Sequence, residues 1–99
     1  MGLDDLRVEI NEIDTALVEL LTRRMDICAR VAEYKKENGM AILQPEREAA
    51  VLDKVAGMTR GEYGHYMRAV YSGIMEQSRE LQLKYASFFE KDEGGLDEE

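Results

Sequence analysis

The sequence predicts an all-α protein with three helices per chain, one of them very long, assembled as an intertwined homodimeric helical bundle. Three observations predict it. Apolar residues recur at steps of three and four along the first third of the chain, no segment alternates with the period of two that a strand needs, and residues 3–38 contain neither proline nor glycine. With 99 residues there is one domain, since two separate cores would each be too small for burial to outweigh chain entropy.

The first helix starts near Leu3, and its stripe runs Leu3, Leu6, Ile10, Ile13, Leu17, Leu20, Ile27, Val31 and Tyr34. Asp4 and Asp5 suit a helix start and Asn38-Gly39 a helix stop. Such a helix is about 50 Å long, whereas a compact chain of this size has a radius of gyration near ~13 Å. It is too long to be buried within its own monomer. The exposed seam calls for a partner, supplied by an intertwined homodimer or by an antiparallel coiled coil. Residues 39–44 form a loop, Pro45 suits the first position of a second helix, and that helix runs to about Ala56 with Val51, Leu52 and Val55 on its apolar face. Gly57, Gly61 and Gly64 punctuate the next turn. A third helix runs from about Glu62 to about Phe89 on a stripe that includes Met67, Val70, Tyr71, Ile74, Met75, Leu81, Tyr85 and Phe88. Gly73 inside it costs about 1 kcal/mol against alanine, which predicts a close helix contact there. The domain is therefore residues 1–90, with residues 91–99 an acidic tail expected to be disordered.

Formal charge is −8, and the segment Glu90 to Glu99, six acids against one lysine, carries −5 of it. Nucleic acid is excluded as a partner, because phosphate binding needs a basic footprint. The single cysteine, Cys28, cannot close an intramolecular disulfide, and no Cys/His spacing suits zinc, so no metal is expected. No apolar run approaches a membrane span and the N-terminus lacks an export pattern, which together predict a cytoplasmic protein.

Polar residues inside apolar stripes carry the functional information, because burying them is unfavourable unless something pairs with them. Arg24 occupies a seam position whose neighbours at 3, 10, 17 and 31 are Leu, Ile, Leu and Val. Lys35 lies three turns on and roughly 16 Å along the axis, so both side chains are able to lean towards a small ligand. The other reading is a register-setting arginine with a solvated lysine. Ser78 and Gln82 repeat the anomaly on the third helix, and Arg47 and Glu48 stand in the first turn of the second. Arg7, roughly 26 Å before Arg24 on the same helix, reaches that region only from an antiparallel partner chain. His65 reads as a surface residue, Cys28 as small packing, and Met25, Met58, Met67 and Met75 as core filler.

These residues stand in segments that resemble the all-helical bacterial class of chorismate mutases, the dimeric three-helix type, over essentially Leu3 to Phe89. The segments are Leu6-Arg7-Val8-Glu9-Ile10-Asn11-Glu12-Ile13-Asp14, Leu20-Leu21-Thr22-Arg23-Arg24-Met25, Val31-Ala32-Glu33-Tyr34-Lys35, Pro45-Glu46-Arg47-Glu48, and Ile74 to Gln82. The resemblance implies isomerisation of chorismate to prephenate, a [3,3] rearrangement in aromatic amino acid biosynthesis that needs no nucleophile, metal or cofactor. It also implies a substrate site of Arg7, Arg24, Lys35, Gln44, Arg47, Glu48, Ser78 and Gln82, with Arg7 coming from the partner subunit. In that site Arg24, Arg7 and Arg47 bind the two carboxylates, and Lys35 and Gln82 donate to the ether oxygen. Glu48 accepts from the ring hydroxyl, and Ser78 assists positioning. Gln44 departs from the aspartate common in the family, which affects loop detail, where the contact is largely through backbone. Two rival readings are an isochorismate-pyruvate lyase on the same fold and a non-catalytic helical dimerisation module.

Overall fold

The computed structural model describes the backbone of residues 2–98 and the side chains of residues 2–86. Within them lie three helices and no strand: α1 (Leu3–Glu37), α2 (Pro45–Gly57) and α3 (Gly61–Glu98). α1 begins where the Gly2 backbone N–H donates to Asp5 Oδ2 at 2.9 Å, with Asp4 and Asp5 in the first turn complementing the helix dipole. It ends because the Asn38 backbone N–H and side-chain amide both donate to the Tyr34 carbonyl (3.0 and 2.8 Å), and Gly39 then turns the chain with φ +63°. Only glycine adopts that left-handed conformation without penalty. No heavy atom lies within 4 Å of where a Gly39 side chain would stand, so the penalty of substitution is one of backbone alone. Gly39→Ala is expected to lower stability by about 1 kcal/mol and Tm by about 4–8 °C. An unchanged melting curve would show that the turn relaxes without it.

Pro45 occupies the first turn of α2, where no backbone N–H is needed, and the Glu48 backbone N–H donates to the Gln44 carbonyl at 3.1 Å to close that turn. α1 and α2 each pack on α3 and not on one another, which leaves a gap over α3 between them. The single chain is elongated, 65 × 29 × 15 Å with a radius of gyration of 17.9 Å, well above the ~13 Å of a compact chain this long. Its core is thin: among the described residues Cys28, Ala32, Val55 and Met75 are the buried apolar side chains. The stripe predicted for α1 is exposed along its N-terminal half, with Leu3 61%, Ile10 54% and Leu17 48% accessible. The face α1 turns to its own chain is a different one, running through Leu21, Arg24, Cys28, Ala32 and Lys35.

Three expectations need correction. Met25 and Met58 are exposed rather than core filler, and of the four methionines read that way Met75 alone is buried. Gly73 meets nothing within 4 Å, so it marks no close contact within the chain; the close approach is at Gly64, whose added Cβ would lie 3.3 Å from the Ala56 carbonyl oxygen. Only three residues separate α2 from α3, so the first turn of α3 must pass directly beside the end of α2. α3 also continues as helix to Glu98, past the end expected at Phe89. The side chains of the acidic tail and Phe88 lie outside the described residues.

Candidate active site

The gap over α3 is a cavity of about 380 Å³, within the usual range for small-molecule sites. Arg24 and Lys35 reach it from α1, Ser78 and Gln82 from α3. Gln44, Arg47 and Glu48 border it from the start of α2. Seven of the eight residues singled out from the sequence therefore line one cavity. Arg7 is exposed, on the uncovered N-terminal half of α1, and is not part of the wall.

Arg24 and Lys35 stand roughly 16 Å apart along α1, whereas Ser78 and Gln82 are only about 6 Å apart along α3. The long cationic side chains converge to close the difference. Arg24 Nη1 donates to Ser78 Oγ at 2.6 Å and lies 3.6 Å from Cys28 Sγ, and the guanidinium carbon stands 6.0 Å from the centroid of the Tyr71 ring. The Ser78 hydroxyl in turn donates to the Ile74 carbonyl at 2.8 Å. With its proton spent on its own helix, Ser78 presents a lone pair to the guanidinium and holds it in place.

Lys35 Nζ donates to the Ile42 carbonyl at 3.0 Å and to Gln82 Oε1 at 3.2 Å. An ammonium has three N–H donors, so one remains for a ligand. Because it accepts nothing, it forces the Gln82 amide to turn its oxygen towards Lys35. The amide nitrogen of Gln82 keeps its two donors available. Gln82 is only 8% exposed, so its amide donors act where water competes weakly.

Arg79 was not anticipated. It lines the cavity and its Nη1 donates to Glu48 Oε1, tying α3 to α2. On a helical wheel it stands about 60° from Gln82, a signal that was available but hidden among the charged residues of α3. Among the described residues four cationic side chains, Arg24, Lys35, Arg47 and Arg79, thus border the cavity with one carboxylate, Glu48. In a chain of net charge −8 this is a local excess of positive potential suited to an anion. His65 is exposed, edge-on to Tyr66, and outside the wall. Among the described residues no three His, Cys, Asp or Glu side chains group as metal ligands, and no helix is long and apolar enough to cross a membrane.

The family profile for chorismate mutase type II matches residues 6–83. A chorismate mutase of Methanocaldococcus jannaschii is 28% identical over 86 residues, covering 84% of this chain and 86% of that protein. A 4-amino-4-deoxychorismate mutase of Streptomyces pristinaespiralis is 32% identical over 82 residues, covering 81% of this chain and 64% of that protein. A bifunctional chorismate mutase/prephenate dehydratase of Aquifex aeolicus is 27% identical over 92 residues, covering 84% of this chain. The chain spans a quarter (25%) of the length of that bifunctional relative. No solved structure matches the chain.

Proposed function

The chain belongs to the chorismate mutase type II family, and from that premise we propose that its cavity isomerises chorismate to prephenate. Of the two substrates named among the relatives above, chorismate and its 4-amino-4-deoxy analogue, we take the hydroxyl compound. One observation carries the reading: Lys35 and Gln82 line the same cavity and are bonded to each other, which leaves one ammonium and two amide donors to spare on a wall that also carries Arg24, Arg47 and Arg79.

The rearrangement breaks the bond between the ether oxygen and the ring while a carbon–carbon bond forms within the same molecule. No proton is transferred and no covalent adduct is made. What accelerates it is holding the enolpyruvyl arm over the ring and stabilising the negative charge that grows on the ether oxygen. In our reading the free donors of Lys35 and Gln82 meet that oxygen. Arg24, held by Ser78 and Tyr71, grips a carboxylate through its planar fork, with Arg47 beside the entrance. Glu48 Oε2 accepts from the ring hydroxyl. The Gln44 side chain borders the cavity, while its backbone carbonyl serves the turn of α2.

The site is completed, in the same proposal, by Arg7 of a second subunit. Leu3, Leu6, Ile10, Ile13, Leu17 and Leu20 form an exposed apolar seam, and full burial of such a side chain contributes up to about 1.5–3 kcal/mol. Two α1 helices packed antiparallel along that seam would carry each Arg7 to the other chain's cavity. A cytoplasmic setting belongs to the same reading and suits the free thiol of Cys28.

The direct test is the loss of the ultraviolet absorbance of chorismate with prephenate as product, beside an Arg24→Ala control. Rapid loss abolished in the control supports the proposal, and inactivity on chorismate overturns it. The amide at 82 makes a second, sharper test. A neutral amide donates at any ordinary pH, whereas a carboxylic acid donates only while protonated. Gln82→Glu is therefore expected to keep activity at acid pH and lose it towards neutrality, while the wild type stays active through neutral pH. A flat pH–rate profile in the variant would remove Gln82 from the ether oxygen.

A further inference from the structure

Arg79 and Glu48 form an ion pair across the cavity wall, one from α3 and one from α2, with side chains 33% and 23% exposed. Among the described residues Glu48 is the sole carboxylate of the wall, with Arg47 next to it in sequence and Arg24 and Lys35 on the same cavity. The guanidinium of Arg79 engages Oε1, which leaves the lone pairs of Oε2 able to accept from a ligand. The acceptor is open but its charge is already matched.

Such a carboxylate suits a neutral hydroxyl. An amine of ordinary basicity is protonated at neutral pH. As an ammonium at Oε2 it would find no uncompensated negative charge, and it would stand close to the guanidinium of Arg79. Like-charge juxtaposition of that kind is how a site rejects one of two ligands of the same shape. Resting on the functional reading above, we infer that Arg79 determines substrate specificity: through Glu48 it selects a ring hydroxyl over a ring amino group in otherwise identical substrates. Arg79 is a positioning residue in this scheme, because it acts on the substrate through the carboxylate it holds.

The test compares kcat/KM for chorismate and for 4-amino-4-deoxychorismate in the wild type, Arg79→Gln and Arg79→Lys. The wild type is expected to favour chorismate by more than about tenfold. Arg79→Gln frees the Glu48 charge and should narrow that ratio by about tenfold, through a smaller loss, or a gain, on the amino compound. Arg79→Lys keeps the charge and should hold the ratio within about threefold of the wild type. A general structural role would lower both substrates together and leave the ratio unmoved. Glu48→Gln, a second variant on the other side of the pair, leaves Arg79 uncompensated and should push the ratio further towards the hydroxyl compound. The inference is overturned by an unmoved ratio in Arg79→Gln, by an equal collapse in Arg79→Lys, by a fall in Glu48→Gln, or by a wild type that prefers the amine. A wild type inactive on both compounds overturns the functional reading as well, whereas brisk turnover of chorismate with an unmoved ratio overturns this inference alone.

Discussion

Lys35→Ala is expected to lower kcat by about 10²–10³-fold while KM changes by less than about threefold. The split follows from what Lys35 is bonded to. Two of its three donors are committed, to the Ile42 carbonyl and Gln82 Oε1, so it arrives at the ligand already oriented, with one donor left. A donor aimed at the ether oxygen gains strength only as charge builds there, so its loss raises the barrier more than it weakens ground-state binding. The substitution also frees Gln82 to rotate and removes an anchor of the loop at Ile42, both of which act in the same direction on kcat. Steady-state kinetics check the prediction. A rise in KM at constant kcat would make Lys35 a general anion binder and remove it from the reacting atoms. Circular dichroism on the variant separates loss of the donor from loss of the helix.

The second large effect concerns Arg7. Arg7→Ala and Arg24→Ala are each expected to lower kcat/KM by more than about 100-fold, because each removes a cation assigned to a substrate carboxylate. Mixing the two inactive proteins under conditions that exchange subunits should then restore activity. In a mixed dimer one site draws Arg24 from the Arg7→Ala chain and Arg7 from the Arg24→Ala chain, and is intact; the other site lacks both. Random exchange makes half the dimers mixed, so about a quarter of the wild-type activity returns. Failure to recover activity, with subunit exchange verified, would confine each site to one chain. An active monomer in sedimentation would do the same.

Much of the fold was legible in the sequence because helices are set by local and periodic signals. The stop at Asn38-Gly39, the start at Pro45 and the length of α1 need only neighbouring residues and a period of 3.6. The anomalies at Arg24, Lys35, Ser78 and Gln82 were equally visible, since a polar side chain on an apolar stripe has to be paired wherever that stripe packs. The exposed seam of α1 could be foreseen from its length alone.

What only the tertiary structure decided is which face meets which. Helical periodicity gives the direction of a side chain around its own axis but not the crossing or rotation of one helix against another. The pairing of Arg79 with Glu48, between α3 and α2, depends on that rotation and was missed. So was the role of the Ile42 carbonyl, because a backbone acceptor leaves no trace in residue type. The same reason moved the close helix approach from Gly73 to Gly64, since which glycine meets another helix depends on where that neighbour lies. The chain's pattern determined the three helices and the polar groups that break their stripes, whereas the packing of α1 and α2 on α3 determined how those groups are paired, because a hydrogen bond between helices is fixed by positions in space that no single helix encodes.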